Sequence, residues 1–162
     1  MSLRDGRSHL TERQKELVEY WKSKSTDGKW PCRSDINPGD VLSALASISL
    51  IERDEDGFRF RLTGSSLRSV FGGNVQGQLI REIDVAVEEA GSASLEVTLE
   101  NGHPVCGSRK MGDRWHIWLR LPLLDETGDP RLVLCSDEVV AADPDKVGCS
   151  SYAKFDYGRQ AA

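Results

Sequence analysis

Between Phe58 and Gly73 the chain reads FRFRLTGSSLRSVFGG, and its periodicity changes within that span. Phe58, Phe60 and Leu62 alternate with Arg59, Arg61 and Thr63, the two-residue repeat of a half-buried strand. After Gly64, the apolar residues Leu67, Val70 and Phe71 take helical spacing, and Gly72 and Gly73 supply the left-handed stop. A Walker-type phosphate loop needs Lys and Ser/Thr directly after its last glycine, and neither stands there. The stretch therefore reads as a strand feeding a short helix, with its glycines making turns.

The flanking sequence extends this pattern. Thr11 followed by Gln14 is a capping box, and Leu10, Leu17, Val18 and Trp21 share one side of a helix that should end near Lys24. A second short helix is expected from Asn37, with Pro38 in its first turn and Leu42 and Leu45 as its buried side. SISLIE and FRFRLT form two strands, joined by the charged turn RDEDG and so antiparallel. LIREIDVAVEEAG reads as a helix, whereas Ser92 to Asn101 fits helix or strand equally. The last third reads as three strands. In RWHIWLRLPLL, the series Trp115, Ile117, Leu119, Leu121 and Leu123 alternates against His116, Trp118 and Arg120. RLVLCSDEVVA is apolar on both faces near Leu132 to Leu134, which places it centrally in a sheet. Helices inserted between two groups of strands imply an α+β fold, one antiparallel sheet with helices packed on it.

A chain of 162 residues is one domain, and its net charge of −5, from 21 basic and 26 acidic residues, argues against non-specific nucleic-acid binding. No apolar run approaches the ~20 residues needed to cross a bilayer. The N-terminus lacks the apolar centre of a secretory signal, so a cytoplasmic location without membrane insertion is expected. The four cysteines form no CxxC pair and match no zinc template. We divide the chain into a flexible N-terminus at 1–9, a single domain at 10–140 and a C-terminal tail at 141–162.

Trp21 in the first helix, the run PCRSDINP from Pro31 to Pro38, the series Arg61, Leu62, Gly64, Gly72 and Gly77, and the LPL-x-x-x-G hairpin with Leu121, Pro122, Leu123 and Gly128 occur in an order that resembles the PAS domain. More closely the chain resembles the compact PAS-type family common in alphaproteobacteria, over roughly residues 10 to 140. The resemblance implies a five-stranded antiparallel sheet with helices on one face, an N-terminal helix, and a helix over Ser92 to Asn101. It also implies a cleft between sheet and helices that either holds a small ligand or is packed. It further implies pairing through the N-terminal helix and the opposite sheet face, and a stand-alone sensory module acting through a partner such as a histidine kinase.

On this reading Phe58, Phe60, Leu62, Leu67, Phe71, Trp115 and Ile117 line the cleft, against the alternative that they close it as a filled core. His116, Trp118 and Arg120 form a strip on the outer sheet face, covered by Leu17, Val18 and Trp21 from the same chain or a second copy, which favours a homodimer. Arg61 and Asp35 form a structural ion pair. Haem ligation by His103 or His116 is not expected, nor are flavin or metal cofactors. The function expected is a non-enzymatic sensory and signalling module that binds a small ligand or a partner protein. Two alternatives stand beside it: a small cleft enzyme using Cys106 and His103, and a purely structural interaction protein with a filled core.

Overall fold

The structure, a computed structural model, describes residues 10–83, 89–141 and 153–154. The N-terminal stretch 1–9, most of the expected tail and the middle of the LIREIDVAVEEAG helix lie outside these residues. Helix α1 spans Glu12–Lys24. It starts where the capping box predicts: Thr11 Oγ1 accepts from the Gln14 N–H, and the Thr11 N–H donates to Gln14 Oε1, both at 3.2 Å.

Strands β1 (Ile48–Asp54) and β2 (Gly57–Thr63) form the expected hairpin. Helix α2 (Leu67–Phe71) follows β2, and a 3₁₀ turn covers Ile80–Glu82. Helix α3 occupies Ser94–Asn101, so the stretch that local pattern leaves open is helical. Strands β3 (Val105–Met111), β4 (Arg114–Leu123) and β5 (Leu132–Val140) complete an antiparallel sheet in the order β2-β1-β5-β4-β3. Two residues of the tail, Ala153–Lys154, form a short β6 on the free edge of β3. β5 lies at the centre, as its two-sided apolar pattern requires.

Both faces of this sheet are covered. On one lie α1 and the 3₁₀ segment Pro38–Ser47, which pack Leu17, Val18, Trp21 and Val41 onto Ile117, Leu119, Leu121 and Leu134. Two hydrogen bonds anchor α1 there: Trp21 Nε1 donates to the Pro122 carbonyl at 2.8 Å and Gln14 Nε2 to the Ile117 carbonyl at 3.0 Å. On the other face, Leu95 and Leu99 of α3, Val75, Ile80 and Ile83 cover Ile51, Phe58, Phe60, Trp118 and Val133. We call the face under α3 the inner face and the face under α1 the reverse face.

Two sequence expectations change. The segment after Asn37 is a 3₁₀ helix with a kink at Val41, not an α-helix. At three residues per turn, Val41, Ala44 and Ser47 share the buried side, Leu45 is half-buried, and Leu42 is 70% exposed. In β2, Ile51 pairs with Phe60 while Leu50 pairs with Leu62, so Arg61 is an inserted bulge residue. The bulge turns Leu62 to the reverse face, away from Phe58 and Phe60.

Candidate functional site

The alternation of β4 sends His116, Trp118 and Arg120 to the inner face. The register of β5 against β4 sets Asp137 opposite Trp118 on the same face. There Arg120 and Asp137 form a bidentate ion pair: Nη2 donates to Oδ1 at 2.9 Å and Nη1 to Oδ2 at 3.0 Å, with both side chains at most 1% exposed. His116 Nε2 lies 2.7 Å from Asp137 Oδ1, and Arg109 Nε donates to His116 Nδ1 at 2.9 Å. Because Nδ1 accepts from a guanidinium, the neutral ring carries its proton on Nε2 and donates it to Asp137. Aromatic rings close over this network. Phe71 stands edge-on to His116 at 6.1 Å and to Phe60 at 5.6 Å, and the Arg120 guanidinium lies 5.4 Å from the Trp118 ring centroid.

Burial is the largest influence on each of these groups, but its outcome differs. It pushes the His116 imidazole down; Asp137 opposes this, and the charges of Arg120 and Arg109 add to it. Burial would raise the Asp137 carboxyl, yet Arg120 and the hydrogen bond from His116 outweigh it and hold the group below the usual carboxylate range. Beside Arg120, burial pushes the Cys135 thiol up to about 12, which keeps it neutral and poorly nucleophilic.

The reverse face holds a trough of about 200 Å³ between the Pro38–Ser47 segment and the sheet. Its walls include Ile36, Val41, Leu45, Leu50, Leu62 and Leu134. Arg33 stands at the end of β4, where its N–H donates to the Leu124 carbonyl at 2.9 Å. Thr63 and Gln76, joined by a 3.2 Å hydrogen bond, stand at the edge formed by β2. Gly64 admits this packing: a Cβ there would lie 2.3 Å from the Ala46 carbonyl oxygen, so the 3₁₀ segment reaches the sheet only because position 64 has no side chain.

An antiparallel sheet in this strand order, with helices over its inner face, agrees with the match of residues 9–108 to the family model described as PAS domain. The chain belongs to the PAS-domain family. Among solved structures, it is similar to the PAS domain of the histidine kinase ThkA at 24% identity, covering 57% of this chain and 96% of that one with a TM-score of 0.47. It is similar to the histidine kinase ThkA in complex with the response regulator protein TrrA at 20% identity, covering 61% and 30% with a TM-score of 0.43. A PAS domain of a protein from Colwellia psychrerythraea is similar at 16% identity, covering 64% and 96% with a TM-score of 0.44. These likenesses concern the fold alone. No curated protein sequence matches the chain.

This PAS domain distributes the sequence-selected cleft residues over two faces. Phe58 and Phe60 lie buried in the inner-face core, with Phe71 packed on them, and Leu67 is buried after the β2 strand. Ile117 points to the reverse face, Trp115 follows it by alternation, and Leu62 joins them there through the bulge. The seven residues therefore do not line one cleft. The interface set divides likewise: the first-helix residues take the same-chain alternative, and the two β4 residues change face. Leu17, Val18 and Trp21 are buried against β4 of their own chain, and His116 and Trp118 are buried on the inner face rather than exposed on the outer one. Arg61 pairs with Glu52 and Asp54 at 3.4 and 3.5 Å, not with Asp35, whose carboxylate instead accepts from the Cys32 N–H at 2.8 Å. Cys106 sits in the apolar reverse-face cluster, while His103 stands half-buried in the turn before β3.

Sequence reasoning missed Arg109 and Asp137, and with them the network. The signal was present: an arginine in the apolar run WLRLPLL and an aspartate in LVLCSDEVV are opposite charges in neighbouring core strands. Two such residues each need the other once buried.

Proposed function

We propose that this PAS domain is a non-enzymatic cytoplasmic signalling module that passes its state to a partner protein, such as a sensor histidine kinase, through surface contact. The observation that carries this reading is the fully buried Arg120–Asp137 pair with His116, sealed beneath Phe71. Side chains that are buried and committed to one another favour a packed inner face over one that holds a ligand there. Both His116 nitrogens are engaged, which leaves none to bind haem iron. The buried Cys135 thiol is held neutral, and Cys106 is 1% exposed within the reverse-face core, so neither thiol is presented to a substrate. Of the two options in the sequence reading, contact with a protein is favoured over a small ligand in the inner cleft. The homodimer loses the contact residues named for it and has no part in this reading. The compact alphaproteobacterial subtype stays within it, resting on motif order alone.

Native mass spectrometry and the visible spectrum of the purified chain test the closed inner face. A mass without haem or flavin and no visible band are expected; a haem or flavin band overturns that part. Photo-crosslinking in the native host followed by reconstitution with the captured protein tests the rest. A change in the partner's activity is expected. Catalytic turnover by this chain, abolished in Cys106→Ser, overturns the non-enzymatic reading.

A further inference from the structure

The trough on the reverse face has a chemistry that neither the core nor the inner-face network explains. Its walls are aliphatic, and nothing among the described residues fills it. Leu62, at its edge, is 49% exposed, an apolar side chain left in contact with water. Among the described residues no ion pair or side-chain hydrogen bond engages the Arg33 guanidinium, although the neighbouring charged chains Asp35 and Asp40 are each committed elsewhere, to the Cys32 N–H and the Tyr20 hydroxyl. A cation with no partner among the described residues, beside an apolar cavity, favours a molecule that supplies both an anion and a hydrophobic body.

We propose that this trough is a binding site for a small amphiphile, with an anionic end on Arg33 and an unbranched aliphatic body along Ile36, Val41, Leu50 and Leu134. The volume bounds its length. At roughly 30 Å³ per water-sized group, about 200 Å³ holds a body of about seven carbons. Its aliphatic walls gain more from a hydrocarbon guest than from water, because apolar surface is removed from solvent when the guest binds. The occupant would wedge between the Pro38–Ser47 segment and the sheet, bracing the connection from α1 into β1. The inference deepens the signalling function proposed above and rests on it for its consequence, whereas binding itself is measured without any partner.

Octanoate is the probe. Titrated into the full chain and followed by methyl NMR, it is expected to shift Ile36, Val41, Leu45 and Ile48 saturably. Arg33→Gln should weaken octanoate about tenfold, the effect of losing one charge-assisted contact, and leave octan-1-ol binding within about twofold. Leu62→Glu, at an exposed position that leaves the fold intact, should weaken octanoate by repulsion. No saturable shift, or shifts confined to the inner face around Phe60 and Trp118, overturns the site. Unchanged octanoate affinity in Arg33→Gln overturns anion recognition. Failure of this titration leaves the partner-contact reading standing, and catalytic turnover would remove that reading without touching the site.

Discussion

The indole of Trp118 lies directly over Gly107, its cross-strand partner: a Cβ at position 107 would sit 2.1 Å from Trp118 Cζ2. Trp118 is 1% exposed, and Arg120 stacks near its ring, so the indole has nowhere to move without disturbing the ion pair. Gly107→Ala is therefore expected to cost about 2–3 kcal/mol through overpacking. At roughly 2–4 °C per kcal/mol for a chain of this size, thermal unfolding should show a clear fall in Tm. An unchanged Tm would show that the indole is not confined as described.

Asp137 neutralises a guanidinium that is fully buried. Asp137→Asn should cost about 3–5 kcal/mol, because Arg120 keeps its charge and loses its counter-ion. The double variant Arg120→Met with Asp137→Leu should unfold at higher urea than Asp137→Asn alone, since removing both charges leaves none uncompensated. The reverse order in urea unfolding would mean that the pair is not isolated from water.

His116 makes stability fall as acid is added. Its folded pKa lies below the unfolded value near 6.5, because burial and the charges of Arg120 and Arg109 outweigh the attraction of Asp137. Below about pH 6.5 the unfolded chain binds the extra proton and the folded chain does not, so stability drops by up to about 1.4 kcal/mol per pH unit. Asp137, also held low, releases its share only near and below about pH 4. Urea unfolding at pH 7.5 and 5.5 should show the loss in the parent chain and a smaller one in His116→Gln. Equal losses in both would exclude His116 as the source.

The 3₁₀ character of Pro38–Ser47 separates two neighbouring residues. Leu42 is 70% exposed and Val41 is 8% exposed. Leu42→Asp should change stability by no more than about 0.5 kcal/mol, while Val41→Ala should cost about 2 kcal/mol. An α-helix with the spacing expected from sequence would reverse the order, and chemical denaturation of the two variants distinguishes them.

Local signals carried the reading of the elements. The Thr11–Gln14 box set the start of α1, the two-residue repeats marked β2 and β4, and the unbroken apolar run around Leu132 to Leu134 placed β5 at the sheet centre. Each depends on residues close together in the chain, so the sequence alone was enough to determine them. Which layer covers which side of β4 was decided only in three dimensions. Alternation sorts Ile117 and Leu119 from His116 and Trp118 but does not say which set meets α1, and here both faces are roofed, so an apolar series and a polar-looking series are each buried. The bulge at Arg61 and the meeting of Arg120 with Asp137 likewise arise from the register between paired strands, which the periodicity of a single strand does not state. Long-range packing and charge pairing choose among options that local periodicity leaves equivalent.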